Sequence, residues 1–180
     1  MILREATSAD RTALLDVHLS AFGQDEETLL VDALLADPSA QPLLSLLAEE
    51  RGRILGHVLF THVTIAGPDT PPKASILAPL AVVPSAQGFG VGRQLIEQGC
   101  TRLAERRVGL VFVLGDPNYY TKRGFTAALP HGLHAPYDIQ PANAWMVRSL
   151  DGLALGSYRG KVHCADALAP EKYWREEPRC

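Results

Sequence analysis

The sequence lacks the features that would mark a membrane protein, a secreted scaffold or a nucleic-acid binder. No stretch of its 180 residues approaches the roughly 20 apolar residues that a membrane-spanning helix needs. The N-terminus, MILREATSADR, lacks the basic-then-apolar order of a secretion signal. Only three cysteines are present, Cys100, Cys164 and Cys180. Their odd number and wide spacing argue against a disulfide framework or a zinc knuckle, and for a reducing compartment. The 17 Lys and Arg are scattered against 20 Asp and Glu, so the chain carries no basic footprint for nucleic acid. These absences lead us to expect a soluble cytoplasmic protein with no membrane or nucleic-acid partner.

What is present is apolar material for one core. At 47% apolar, 180 residues suit a single domain, here 1–170, with EKYWREEPRC (171–180) as a charged tail. Ile2 to Ala6 reads as a first strand. Ser8 then precedes Leu14, Leu15, Val17, Ala21 and Phe22, the spacing of an amphipathic helix with a serine cap. Acids at Asp25, Glu26 and Glu27 open a second helix, Thr28 to Leu35, where they complement its dipole. Apolar runs at Leu43–Ala48 and Ile54–Ile65 flank Glu50-Arg51-Gly52-Arg53 and predict a hairpin.

Ser75 to Val83 is an unbroken apolar run and reads as a buried fourth strand. Pro79 lies inside it and cannot donate to a ladder, which predicts a bulge or an unpaired edge. Gln94 to Arg107 is helical, with Leu95, Ile96, Leu103 and Ala104 as its buried stripe. Gly109 to Leu114 is a compact fifth strand. Asp116-Pro117 caps and opens a short helix through Lys122. Further strands are expected at Ala144–Leu150 and Gly156–Cys164.

The most informative stretch is Gln87-Gly88-Phe89-Gly90-Val91-Gly92-Arg93, between a predicted strand and a predicted helix. Glycines permit unusual backbone angles and close approach, so several N–H groups can converge on one anion. The helix N-terminus adds about half a positive charge at the same place. A dinucleotide fingerprint is excluded because the sixth position from Gly88 is Arg93 rather than glycine or alanine. A P-loop is excluded because no G-x-x-x-x-G-K-[ST] run occurs. A third pattern, [RQ]-x-x-G-x-[GA] after a strand, is met at every fixed position by Gln87, Gly90 and Gly92. Taken alone, the stretch also fits a glycine-rich turn that holds nothing.

About 30 residues on comes Tyr119-Tyr120-Thr121-Lys122-Arg123-Gly124-Phe125. The two motifs in this order resemble the GNAT superfamily of N-acetyltransferases, and Ala78-Pro79-Leu80-Ala81-Val82 with Leu114-Gly115-Asp116-Pro117 is similar to a bacterial subgroup of unknown substrate. The resemblance spans the layout from Ile2 to Phe125. It implies an α/β (α+β) fold with a mixed central sheet flanked by helices, in which strands four and five splay apart. It also implies acetyl-CoA as co-substrate, bound by Leu80, Ala81 and Val82 along the strand and by Gln87, Gly88, Phe89, Gly90, Val91, Gly92 and Arg93 in the loop.

Within that resemblance Tyr120 takes the position of the catalytic tyrosine, protonating the departing thiolate; a phenol of reference pKa about 10 carries its proton at neutral pH. Tyr119 takes the position of a packing aromatic. The implied acceptor is a primary amine on a small molecule or peptide, contacted from about Phe22 to Glu27 and Gly132 to Ser149. By analogy a homodimer is admitted as well. Two departures stand out. The fourth strand carries no Asp or Glu, which leaves Glu26, Glu27, His57, His62 or an ordered water as the base. An asparagine often found seven residues before the tyrosine is here Val113, with Asp116 and Asn118 nearby. The missing acid keeps a second reading open: a GNAT-fold module that binds acyl-CoA without catalysis. His131, His134, His163 and Cys164 show no fixed ligand spacing, and no metal is expected.

Overall fold

A computed structural model describes residues 1–152 and 155–175; Cys180 and the tail from 176 on lie outside the described residues. Strands β1 (Ile2–Glu5), β2 (Leu44–Glu50), β3 (Arg53–Ile65), β4 (Ala74–Val82), β5 (Leu110–Leu114), β6 (Thr126–Ala127), β7 (Leu133–His134), β8 (Trp145–Ser149) and β9 (Gly160–His163) alternate with helices α1 (Arg11–Phe22), α2 (Glu26–Ala36), α3 (Val91–Glu105) and α4 (Pro117–Tyr120). The main sheet runs β1-β2-β3-β4-β5-β8-β6, and β9 joins β7 to the far end of β3. Every neighbour on the main path is antiparallel except β4 and β5, which α3 connects as a parallel crossover.

The expected hairpin is present, turning at Arg51 and Gly52, both with positive φ (51° and 75°). The expected irregularity at Pro79 is also present. Val58 pairs with Leu80 but Phe60 pairs with Leu77, so Ala78-Pro79 stand opposite the single residue Leu59. The proline falls where the ladder asks for no donor.

Alternation along β3 assigns the two faces of the sheet. Phe60 faces α3, where Gly99 leaves room for its ring: an added Cβ there would lie 2.4 Å from Phe60 Cε2. His57 and Leu59 face the other way. On that side Leu59, Val63, Ile76, Phe112 and Trp145 share a core with Leu30 and Leu34 of α2. The apolar β4 run noted in the sequence is thus covered on both faces.

Several boundaries move. Ser8 does not cap α1. Residues 8–10 form a 3-10 turn, and the Thr7 N–H donates to the Asp10 carboxylate (2.8 Å), which Arg4 also holds (2.8 Å). Ala104 is exposed rather than buried, because the stripe facing the sheet runs through Val91, Gly92, Leu95, Ile96, Gly99, Cys100 and Leu103. Helix α3 also begins three residues earlier than expected, directly on Gly90. The two-residue strands β6 and β7 are too short for any periodicity to announce. Residues Glu171–Trp174 form a 3-10 turn that buries Trp174, whose indole N–H donates to the Leu168 carbonyl (2.8 Å).

Candidate active site

The parallel β4–β5 ladder has four rungs, ending at Leu77 opposite Val113. Beyond that rung β4 continues to Val82 with no strand partner on the β5 side among the described residues. The two strands therefore part, and the backbone of β4 is offered to whatever enters. The antiparallel rule says which residues offer it. Val83 N–H donates to the Leu55 carbonyl on β3 (2.9 Å), so alternate residues point their polar groups away from β3. Of the three expected strand residues, Leu80 and Val82 turn their backbone polar groups to the gap, and Ala81 turns its own toward His57 on β3.

The glycine loop follows immediately. Gly88 and Gly90 both sit at φ 81°, a left-handed conformation that other residues adopt at a cost, and Gly90 is the N-cap of α3. The first intrahelical bond runs from Gln94 N–H to Gly90 O (3.0 Å). The N–H groups of the first turn, Val91, Gly92 and Arg93, consequently have no helical acceptor and carry the positive end of the dipole. Gln87 does not reach for the cavity with its amide: Nε2 donates to the Val82 carbonyl (3.0 Å) and ties the loop to the strand end. A cavity of about 240 Å³ results, lined by Gln87, Gly88, Gly90, Val91, Gly92 and Arg93 of the expected set, with Val82. Phe89 is 79% exposed and is not part of its lining.

The tyrosine segment also lines this cavity, through Tyr119 and Arg123. Asp116 caps α4 through the Asn118 N–H (2.9 Å), as its sequence predicts. Tyr119 lines the cavity rather than only packing behind it, and an added Cβ at Gly92 would meet its hydroxyl at 2.7 Å. Arg123 lies over the Tyr119 ring, with Cζ 4.3 Å from the centroid. Tyr120 is buried, packs edge-on against Tyr119 and Phe125, and lies so close to Gly115 that a Cβ there would meet its ring at 2.4 Å. It does not line the glycine-loop cavity.

The candidate bases separate. His57 is fully buried. Its Nδ1 shares a hydrogen bond with Nε2 of His18 on α1 (2.8 Å) and its Nε2 with the Ser45 hydroxyl (2.8 Å). Burial pushes His18 down to about 4, and burial with the neighbouring His18 pushes His57 down to about 3. Both are neutral at physiological pH, and neither is open to an acceptor. His62 is half-buried on the α3 side, opposite Ser75. Glu26 and Glu27 sit in the first turn of α2, where Gln24 Nε2 donates to Glu27 (3.3 Å). Among the described residues, no cluster of three His, Cys, Asp or Glu has the geometry to hold a metal ion.

A pyrophosphate fits the residues present. The cavity is lined by backbone N–H groups and two guanidiniums, and by no carboxylate. Gly92 leaves the space a side chain would fill. The Nε of Arg123 is buried without a hydrogen-bond partner among the described residues.

A parallel strand pair that parts beside a glycine-rich helix N-terminus defines an acyl-CoA-dependent acyltransferase fold. Within it the chain belongs to the GNAT acetyltransferases: the acetyltransferase (GNAT) domain matches residues 3–128. It is 42% identical over 161 residues to the uncharacterized N-acetyltransferase YjhQ of Escherichia coli K12, covering 88% of each chain. It is 31% identical over 163 residues to the uncharacterized N-acetyltransferase YhbS of the same strain, covering 90% of this chain and 95% of that one. Among solved structures, YhbS from Escherichia coli in complex with CoA superimposes with a TM-score of 0.84 at 28% identity, over 94% of this chain and 92% of that one. A GNAT family acetyltransferase from Brucella melitensis in complex with acetyl-CoA gives 0.75 at 28% identity, over 93% and 97%. No helix among the described residues is long and apolar enough to cross a membrane.

Proposed function

We propose that this acetyltransferase moves acetyl from acetyl-CoA directly onto a primary amine of a small molecule or peptide. The observation that carries the reading is the adjacency of two binding surfaces. The gap-facing N–H groups of Leu80 and Val82 lead into the glycine loop, which gives an extended arm and a pyrophosphate adjoining places. Acetyl-CoA supplies an activated thioester. The N–H groups at the start of α3 orient its phosphates, the gap-facing N–H groups of β4 orient its arm, and Tyr120 holds a proton on Oη for the departing sulfur. Bringing both reactants together in one cleft removes the need for a covalent enzyme intermediate.

No carboxylate lies on β4 and His57 is enclosed, which leaves Glu26, Glu27, His62 or an ordered water to take the proton of the amine. A second cavity of about 400 Å³ is our candidate for the acceptor. Its lining includes apolar Ala135, Ile139 and Trp145 together with His134, Asp138 and Lys161. Most of its lining residues fall within Gly132 to Ser149, the stretch expected to contact the acceptor. The test is an acceptor panel with acetyl-CoA, following free thiol and product mass together. Tight cofactor binding with no transfer to any amine would instead favour the non-catalytic module.

A further inference from the structure

Arg123 is not explained by packing. It ends the 3-10 turn Thr121–Arg123, one residue before Gly124 turns into the left-handed region at φ 84°. Its backbone carbonyl accepts from Arg148 Nη1 (3.0 Å), and Arg148 is itself paired with Glu97 of α3 (3.0 Å). The turn is thus braced to the helix whose N-terminus carries the glycine loop. Its guanidinium lies over the ring of Tyr119, whose hydroxyl abuts Gly92. The buried Nε meets no acceptor among the described residues. Arg123 itself lines the cavity, whose lining residues include no carboxylate, so the guanidinium borders that space without a counter-charge there.

We propose that Arg123, seated on Tyr119, is a phosphate clamp on the cofactor cavity, and that it sets how strongly the enzyme depends on the phosphates of CoA. The proposal rests on the reading of the loop as a CoA cradle. The ring beneath holds the guanidinium in place, so its N–H groups meet phosphate oxygens with little loss of side-chain freedom. Arg93 at the start of α3 lines the same cavity, so two cations border it.

The experiment is equilibrium binding by calorimetry of CoA and of dephospho-CoA, which lacks the 3′-phosphate, to the wild type, Arg123→Met and Arg123→Lys. Arg123→Met is expected to weaken CoA binding about 10- to 100-fold, and Arg123→Lys to recover only part, since a point charge neither stacks nor binds bidentately. The wild type should also lose more affinity with added salt than Arg123→Met. If the clamp holds the 3′-phosphate, the wild type prefers CoA and the variant loses that preference. If it holds the pyrophosphate, both ligands weaken by the same factor. Arg123→Met binding both ligands as the wild type does overturns the proposal. Should Arg123→Met fail to fold, Arg123→Gln carries the same comparison. A wild type that binds no CoA at all sinks the cradle reading itself, and that result appears before any variant is made.

Discussion

The side-chain amide of Gln87 donates to the main-chain carbonyl of Val82 at 3.0 Å, so the glycine loop is tied to the end of the strand that borders the gap. The motif glutamine lines the cavity while its amide holds the loop to the strand end. Its loss is expected to loosen the loop by about the value of one hydrogen bond, about 1 kcal/mol. Steady-state kinetics of Gln87→Leu should show KM for acetyl-CoA rising severalfold with kcat nearly kept. A large fall in kcat with unchanged KM would place Gln87 in the chemistry instead.

Tyr120 is buried against Gly115, Phe125 and Tyr119, which fixes its ring. Tyr120→Phe keeps that packing and removes only the hydroxyl. The expected loss in kcat is roughly 10²–10⁴, with CoA affinity measured by calorimetry nearly unchanged. An unchanged kcat would remove Tyr120 from the mechanism.

The His18–His57–Ser45 chain makes a prediction about pH. Both imidazoles ordinarily titrate near 6.5 and are held down to about 4 and about 3 in the fold. Between these values the unfolded chain binds more protons than the folded one, so stability is present above pH 6.5 and drains as pH falls toward 4. Urea unfolding at about pH 7 and about pH 5 should show a loss of a few kcal/mol, since each tenfold difference in proton affinity between the folded and unfolded chain is worth about 1.4 kcal/mol. In the double variant His18→Gln, His57→Gln the slope over this window should flatten. A wild-type stability that stays constant over it would argue against the buried neutral pair.

Gly99 tests the packing of α3 on the sheet. Alanine in a helix interior gains about 1 kcal/mol over glycine, but here its Cβ would overlap Phe60 at 2.4 Å. Overpacking of this kind costs about 1–3 kcal/mol, so Gly99→Ala should come out destabilised by thermal melting. A stabilised Gly99→Ala would mean that the ring moves aside freely.

Asp138 lines the larger cavity. If the acceptor amine enters there, Asp138→Lys should raise KM for a cationic acceptor by about tenfold or more and leave KM for acetyl-CoA alone. Equal effects on both substrates would move the acceptor elsewhere.

What could be read in the sequence was what lies close together along it. The loop from Gln87 to Arg93 and the segment from Tyr119 to Phe125 each carry their spacing within seven residues, and Asp116 carries its cap two residues ahead of Asn118. Pro79 announced its bulge by having no donor to give. The remainder depends on contacts across distant sequence. His18, His57 and Ser45 are 39 and 12 residues apart, and nothing local marks them as one network. Thr7 and Asp10 displaced Ser8 as the cap because Arg4 holds the Asp10 carboxylate in place. Arg123 was visible as a residue of the motif, but its role depends on where the Tyr119 ring lies, and only the packed turn fixes that.

Direct acetyl transfer to an amine in the gap between β4 and β5 can be read from product mass, with an amine panel incubated with enzyme and acetyl-CoA. At least one amine should gain a single acetyl group in step with one equivalent of free CoA thiol, and Tyr120→Phe should slow both together. Thiol release without an acetylated amine, or transfer that Tyr120→Phe leaves untouched, would rule this mechanism out.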